Sequence, residues 1–197
     1  MMGAALVKLA DSNLEEVRKR LDLSPEASAL LDGCAAIAEA LERLEGRGFL
    51  MEATRLLAHA LPKREATWWA CVCAHHTAPT NLPEPDRTAV TQAEQWVRRQ
   101  SDEPRRAAFA AAQQAGFGSP EAWAAVAAFW SGDSMSPPGQ PAVPPADYLT
   151  GTAVAGAIAL AAVRTKPERQ KDRLARFLDS AHNIAAGGPG RLPPEEA

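Results

Sequence analysis

The sequence predicts an all-α fold: one domain, a bundle of about eight antiparallel helices with short connections. Three observations point there. The 197 residues hold 42 alanines and 19 leucines against 9 valines and 3 isoleucines, a bias toward the best helix formers and away from the β-branched residues that build sheets. Helix-start signals recur along the chain. Apolar residues repeat at spacings of three and four. A chain of this length buries enough surface to fold without disulfide or metal. A short α-solenoid is the alternative, but no period repeats cleanly.

Residues 4–10 read as a short strand or a loose lead-in. Ser12-Asn13-Leu14-Glu15 is a capping-box pattern that opens a helix through about Leu21, with Leu14, Val17 and Leu21 inward. Ser24-Pro25-Glu26 and Ser119-Pro120-Glu121 carry the same start chemistry: a serine cap, proline where no N–H is needed, and an acid at the positive dipole end. A helix over about 34–45 presents Ile37, Leu41 and Leu44, and Gly46-Arg47-Gly48 ends it. The next, over 49–61, turns Phe49, Ala53, Leu56, Leu57 and Ala60 inward.

Pro62 opens a helix to about His76 that is apolar nearly all round, so it is expected at the centre. Ala66, Ala70 and Ala74 form a small-residue line. Trp68, Cys71, Val72 and His75 form an apolar stripe beside it, with Trp69 and Cys73 on the flank. Residues 79–85 are a proline-rich loop. Helices follow over about 86–100, 103–115 and 120–131, the last with Trp123 and Trp130 on its core stripe. Residues 132–146, with five prolines, form a long extended loop. Helices over 148–163 and 167–184 complete a domain spanning 1–186, and 187–197 reads as a disordered tail.

Composition narrows function. A net charge of −3 argues against nucleic-acid binding by the whole surface. The N-terminus has no basic region ahead of a long apolar run, and the apolar stretch 154–163 is too short to span a bilayer, so a cytoplasmic location without a membrane partner is expected. Cys34, Cys71 and Cys73 read as reduced core residues. Cys71 and Cys73 lie two apart on a helix and point to opposite sides, so no metal site is assigned, and no cofactor. No nucleophile elbow, phosphate loop or dinucleotide fingerprint is present, so catalytic residues are not assigned and a non-enzymatic role is expected.

Two clusters are candidate binding sites. Between Arg164 and Arg176 six basic residues face two acidic ones, making Arg169, Lys171, Arg173 and Arg176 a candidate basic patch, for which a solvated helix face is the plainer account. The second is Leu61-Pro62-Lys63-Arg64-Glu65-Ala66-Thr67-Trp68-Trp69-Ala70-Cys71. Lys63 and Arg64 place two cations on a helix N-terminus, where the dipole disfavours them. Either Arg64 pairs with a buried acid of a neighbouring helix, the preferred reading, or Arg64, Glu65 and Trp69 form a protein interface.

Residues 52–71, with this segment at their end, resemble the core motif of an uncharacterised family of small helical bacterial proteins often encoded near type VI secretion genes. The resemblance carries no catalytic residues. It implies a cytoplasmic accessory, adaptor or chaperone-like protein whose partner is a secretion effector, a spike component or a chaperone. An immunity-type protein that neutralises a toxin is the alternative, and a nucleic-acid binder using 164–176 comes after it.

Overall fold

The computed structural model describes residues 5–9 and 12–196. Ten α-helices and two 3-10 turns account for the regular structure among these residues, and they contain no strand. The helix count exceeds the eight expected because two are short: α1 (Leu14–Arg18) and α2 (Pro25–Leu30). The others are α3 (Ile37–Gly46), α4 (Leu50–Ala60), α5 (Lys63–His76), α6 (Glu84–Arg99), α7 (Asp102–Gln114), α8 (Pro120–Trp130), α9 (Leu149–Val163) and α10 (Gln170–Ala185). Of the lead-in expected over 4–10, Val7–Leu9 is a 3-10 turn, and positions 4 and 10 lie outside the described residues.

The start signals act largely as their chemistry dictates. Ser24 and Ser119 accept the backbone N–H of Ala27 (3.2 Å) and Ala122 (3.1 Å). At α1 the cap shifts by one residue. Asn13 accepts from the Glu16 N–H, while the Ser12 hydroxyl leaves the helix to donate to Ala60 O at the end of α4 (2.5 Å). Helix α3 stops at a left-handed Gly48 (φ +80°), with Phe49 N–H bonded to Leu44 O and Gly48 N–H to Glu45 O. Those bonds satisfy the carbonyls that a helix end leaves without partners.

Helices α5, α8 and α9 pack on one another at the centre. Helix α5 is central as expected, and α8 shares that place, with nine of its eleven residues buried. Helices α6 and α7 pack against each other and on α8; α4 and α10 pack on α9 and on each other; α3 lies on α4. Consecutive α4 and α5 touch little beyond their junction, since Pro62 redirects the chain. The central contacts are built from alanine: Ala66, Ala70 and Ala74 of α5, Ala122, Ala124, Ala125, Ala127 and Ala128 of α8, and Ala153, Ala157, Ala161 and Ala162 of α9 are all buried. Gly151 continues the line: a side chain there would run into the ring of His59 on α4.

Two buried ion pairs tie the ends of these helices. Glu121, in the first turn of α8 and 1% exposed, accepts a fork from Arg164 at the end of α9, with Arg164 Nη1 at 2.9 Å. Arg173 of α10, 2% exposed, donates to Ala162 O (3.1 Å) and Arg164 O (2.7 Å), the orphan carbonyls of α9. Its other edge holds Glu195 (Nε 3.1 Å, Nη2 2.6 Å).

That last contact corrects the expectation of a disordered tail. Residues 187–196 lie against the body. Helix α10 ends at a left-handed Gly187 (φ +94°), and the chain turns back so that Pro189 O accepts from the Trp68 indole (2.7 Å) and Gly190 O from Ser180. Glu195 N–H donates to His76 O (2.7 Å). The composition that reads as disorder, Gly-Gly-Pro-Gly, is what the reversal needs: at Gly190 (φ +63°) any side chain would strike Ile184. The loop 132–146 is irregular as expected and closes on itself through Met135 N–H to Val143 O (2.7 Å).

Removing one member of the Glu121–Arg164 pair leaves the other charge buried without a partner. Glu121→Ala should cost about 3–5 kcal/mol in urea denaturation.

Stability should also follow the histidines. The Glu45 carboxylate, 2.7 Å from His182 Nε2, raises that imidazole above its ordinary 6.5. The protonated pair therefore stabilises the fold fully below pH 6.5, and the contribution fades as pH rises through the raised value. Burial pushes His59 the other way, to about 4, so the fold loses stability as pH falls from 6.5 toward 4. His182→Gln should destabilise the protein more at pH 5.5 than at pH 8.5, and His59→Met should flatten the acid limb.

Candidate functional site

The motif over 61–71 divides between core and surface. Trp69 is fully buried and donates its indole N–H to Phe177 O of α10 (2.9 Å). It therefore cannot be a surface anchor, contrary to the interface of Arg64, Glu65 and Trp69 considered from sequence. Trp68, expected in the core, is only partly buried, and so are Trp123 and Trp130. His75, placed on the apolar stripe from sequence, is exposed and pairs with Glu94 of α6 (2.9 Å), which raises its pKa.

Among the described residues Arg64 meets no buried carboxylate, against the preferred reading of an internal ion pair. Its side chain is 49% exposed; Nε donates to Val97 O (2.9 Å), and the nearest acid is the neighbouring Glu65 at 3.7 Å. The dipole puzzle resolves through α6. Val97 lies in the last turn of α6, so the guanidinium sits at that helix's negative end and offsets its unfavourable place on α5.

Arg64, Glu65 and Trp68 line a groove of about 380 Å3 with Lys8, Val97, Arg98, Ile184 and the tail residues Gly187, Gly188, Pro189 and Arg191. Lys8 comes from the 3-10 turn, Arg98 from the end of α6 and Arg191 from the tail, so four segments distant in sequence supply cations to one opening. Among the described residues, Lys8, Arg64, Arg98 and Arg191 surround a single lining carboxylate, Glu65, which is 14% exposed and held by Lys8 Nζ at 3.2 Å. Arg98 also reaches Glu94 (3.6 Å) across one helical turn. The opening carries net positive charge, with half-buried Trp68 in its wall. Sequence reasoning found Arg64 and Glu65. It missed Lys8, Arg98 and Arg191, for which no local pattern gives a signal, and placed Trp68 in the core.

The candidate basic patch of Arg169, Lys171, Arg173 and Arg176 does not form as one surface. Arg173 is buried on Glu195, and Arg169 shares that carboxylate (3.2 Å). Arg164 is committed to Glu121. Lys171 and Arg176 remain exposed, with Asp172 beside them. Among the described residues no group of three or more His, Cys, Asp or Glu side chains could hold a metal ion, and no helix is long and apolar enough to cross a membrane. Burial pushes the thiols of Cys71 and Cys73 well above their ordinary range, so they stay protonated and unreactive.

The two halves of the motif should respond differently to truncation. Arg64→Ala removes a half-exposed contact and should shift stability by less than about 1 kcal/mol. Trp69→Ala opens the α5–α10 interface and should cost about 3–5 kcal/mol by the same denaturation measurement.

No curated protein and no solved structure matches the chain. Residues 40–185 match a family described as a family of unknown function (DUF6931). That span covers α4 through α10, most of α3, the Glu121–Arg164 pair, Arg173 and the motif, and the chain belongs to this family.

Proposed function

We propose that this chain is a non-enzymatic accessory protein, an adaptor or chaperone-like module, that holds an acidic segment of a partner protein in the groove beside Trp68. One observation carries the reading: cations from four separate segments converge on a groove that contains a single carboxylate among the described residues. Like charges gathered at one opening raise the local potential and are a standing cost unless an anionic partner offsets it. The pairing of arginine with a half-buried tryptophan is the composition favoured where a few residues carry most of an interface's energy.

The resemblance of residues 52–71 supplies the context for the partner: a cytoplasmic component of a type VI secretion system, either an effector, a spike component or a chaperone. The basic segment 164–176 lends little support to a nucleic-acid reading, because Arg164 and Arg173 are spent inside the protein.

Titration calorimetry of the purified chain against the secretion proteins encoded beside it tests the proposal. Wild type should bind one of them, and affinity should fall with rising salt. Arg64→Glu with Arg98→Glu should weaken binding by 2 kcal/mol or more, the threshold of an interface hot spot, with an almost unchanged melting temperature. Binding that survives both reversals would refute the groove as the docking surface. A groove that takes an oligonucleotide but none of these proteins would refute the adaptor role.

A further inference from the structure

The tail itself marks a second surface. Residues 192–195, Leu-Pro-Pro-Glu, run without helix over the end of α5 and the first turns of α10. They are held in the manner of a bound peptide. The Pro193 carbonyl accepts from His76 Nδ1 and the Glu195 N–H donates to the His76 carbonyl (2.7 Å), so one residue reads the backbone twice. The Glu195 carboxylate enters the fork of Arg173 (3.1 and 2.6 Å) and takes Arg169 at 3.2 Å. Two adjacent prolines favour the extended conformation, which lowers the ordering cost of such a segment.

Three features separate the cradle from its occupant. Arg173 is fixed independently of the tail, since its Nη1 is bonded to Ala162 O and Arg164 O. His76, Arg169 and Arg173 lie within the family match, which ends at residue 185, while 192–195 lie beyond it. His76 is 1% exposed, and with Nδ1 donating to Pro193 O its Nε2 is buried with no hydrogen-bond partner among the described residues. A buried acceptor without a donor is a cost.

We propose that the end of α5 and the start of α10 form a peptide slot for an extended Pro-Pro-Glu segment of a partner protein, which this chain fills with its own residues 192–195. His76, Arg169 and Arg173 are not among the groove's lining residues, so substitutions in the slot and in the groove can be made separately, although the tail that fills the slot also lines the groove through Pro189 and Arg191.

The test uses the full chain with Glu195→Lys, which sets a cation against Arg173 and Arg169 and drives the tail out. A capped synthetic peptide of residues 187–196 is added to it, followed by fluorescence anisotropy of the labelled peptide and by melting temperature. In wild type the attached tail competes at an effective concentration on the order of mM. The peptide should therefore bind Glu195→Lys at least about tenfold more tightly than wild type and raise only the variant's melting temperature. A peptide carrying Gln in place of Glu195 should bind at least about tenfold more weakly, as expected when a charge-assisted fork is lost. If Glu195→Lys does not fold, Glu195→Gln takes its place, with the same order of affinities expected. No binding to a folded variant, or equal affinity for variant and wild type, would overturn the proposal and leave the tail a structural strap. Wild-type dimers that disappear in the variant would overturn it in favour of tail exchange between copies.

Discussion

The structure depends on how closely α5, α8 and α9 approach one another. Buried alanines on all three let the helices pack with little side-chain bulk between them. Close packing replaces large side chains as the source of contact. It also brings helix ends, with their unpaired backbone groups, inside the protein. A helix end away from water must find partners for its carbonyls and amides or lose stability. In this protein charged side chains supply them.

The buried charges follow from that need. Arg173 closes the carbonyls at the end of α9 and then requires an anion of its own, which Glu195 provides. Arg164 leaves the end of α9 to meet Glu121 in the first turn of α8, an acid already favoured there by the helix dipole. Arg64 performs the same service for α6 from the first turn of α5. Arg173 and Arg64 thus complete helix ends, and four cations from separate segments line the groove beside Trp68.

The motif over 61–71 therefore serves two ends. Ala66, Trp69, Ala70 and Cys71 are buried and build the centre of the fold. Arg64, Glu65 and Trp68 open onto the groove. The fully buried tryptophan and the groove-lining one are consecutive residues, and their roles are the reverse of what the helical stripe suggested. Helix α5 is packed on several sides, so its apolar pattern has no single inward direction. Which tryptophan is covered depends on where α10 lies, more than a hundred residues later in the chain.

Much of the fold was legible in the sequence, because helix formation is local chemistry. The alanine and leucine bias, the serine caps of α2 and α8, the glycine end of α3 and the central place of α5 all follow from residues within a few positions of one another. Half of the candidate groove was legible too, since two cations on a helix N-terminus are a local anomaly. The rest required the tertiary structure. Lys8, Arg98 and Arg191 meet Arg64 only after three other segments have packed. The basic run 164–176 loses Arg164 and Arg173 to acids 43 and 22 residues away. The glycine-rich tail gains order from Arg173, His76 and Trp68, which its own composition cannot reveal. Local propensity fixes where a helix begins and ends, but charge pairing and burial are decided by distance in space, and one sequence read alone does not contain that distance.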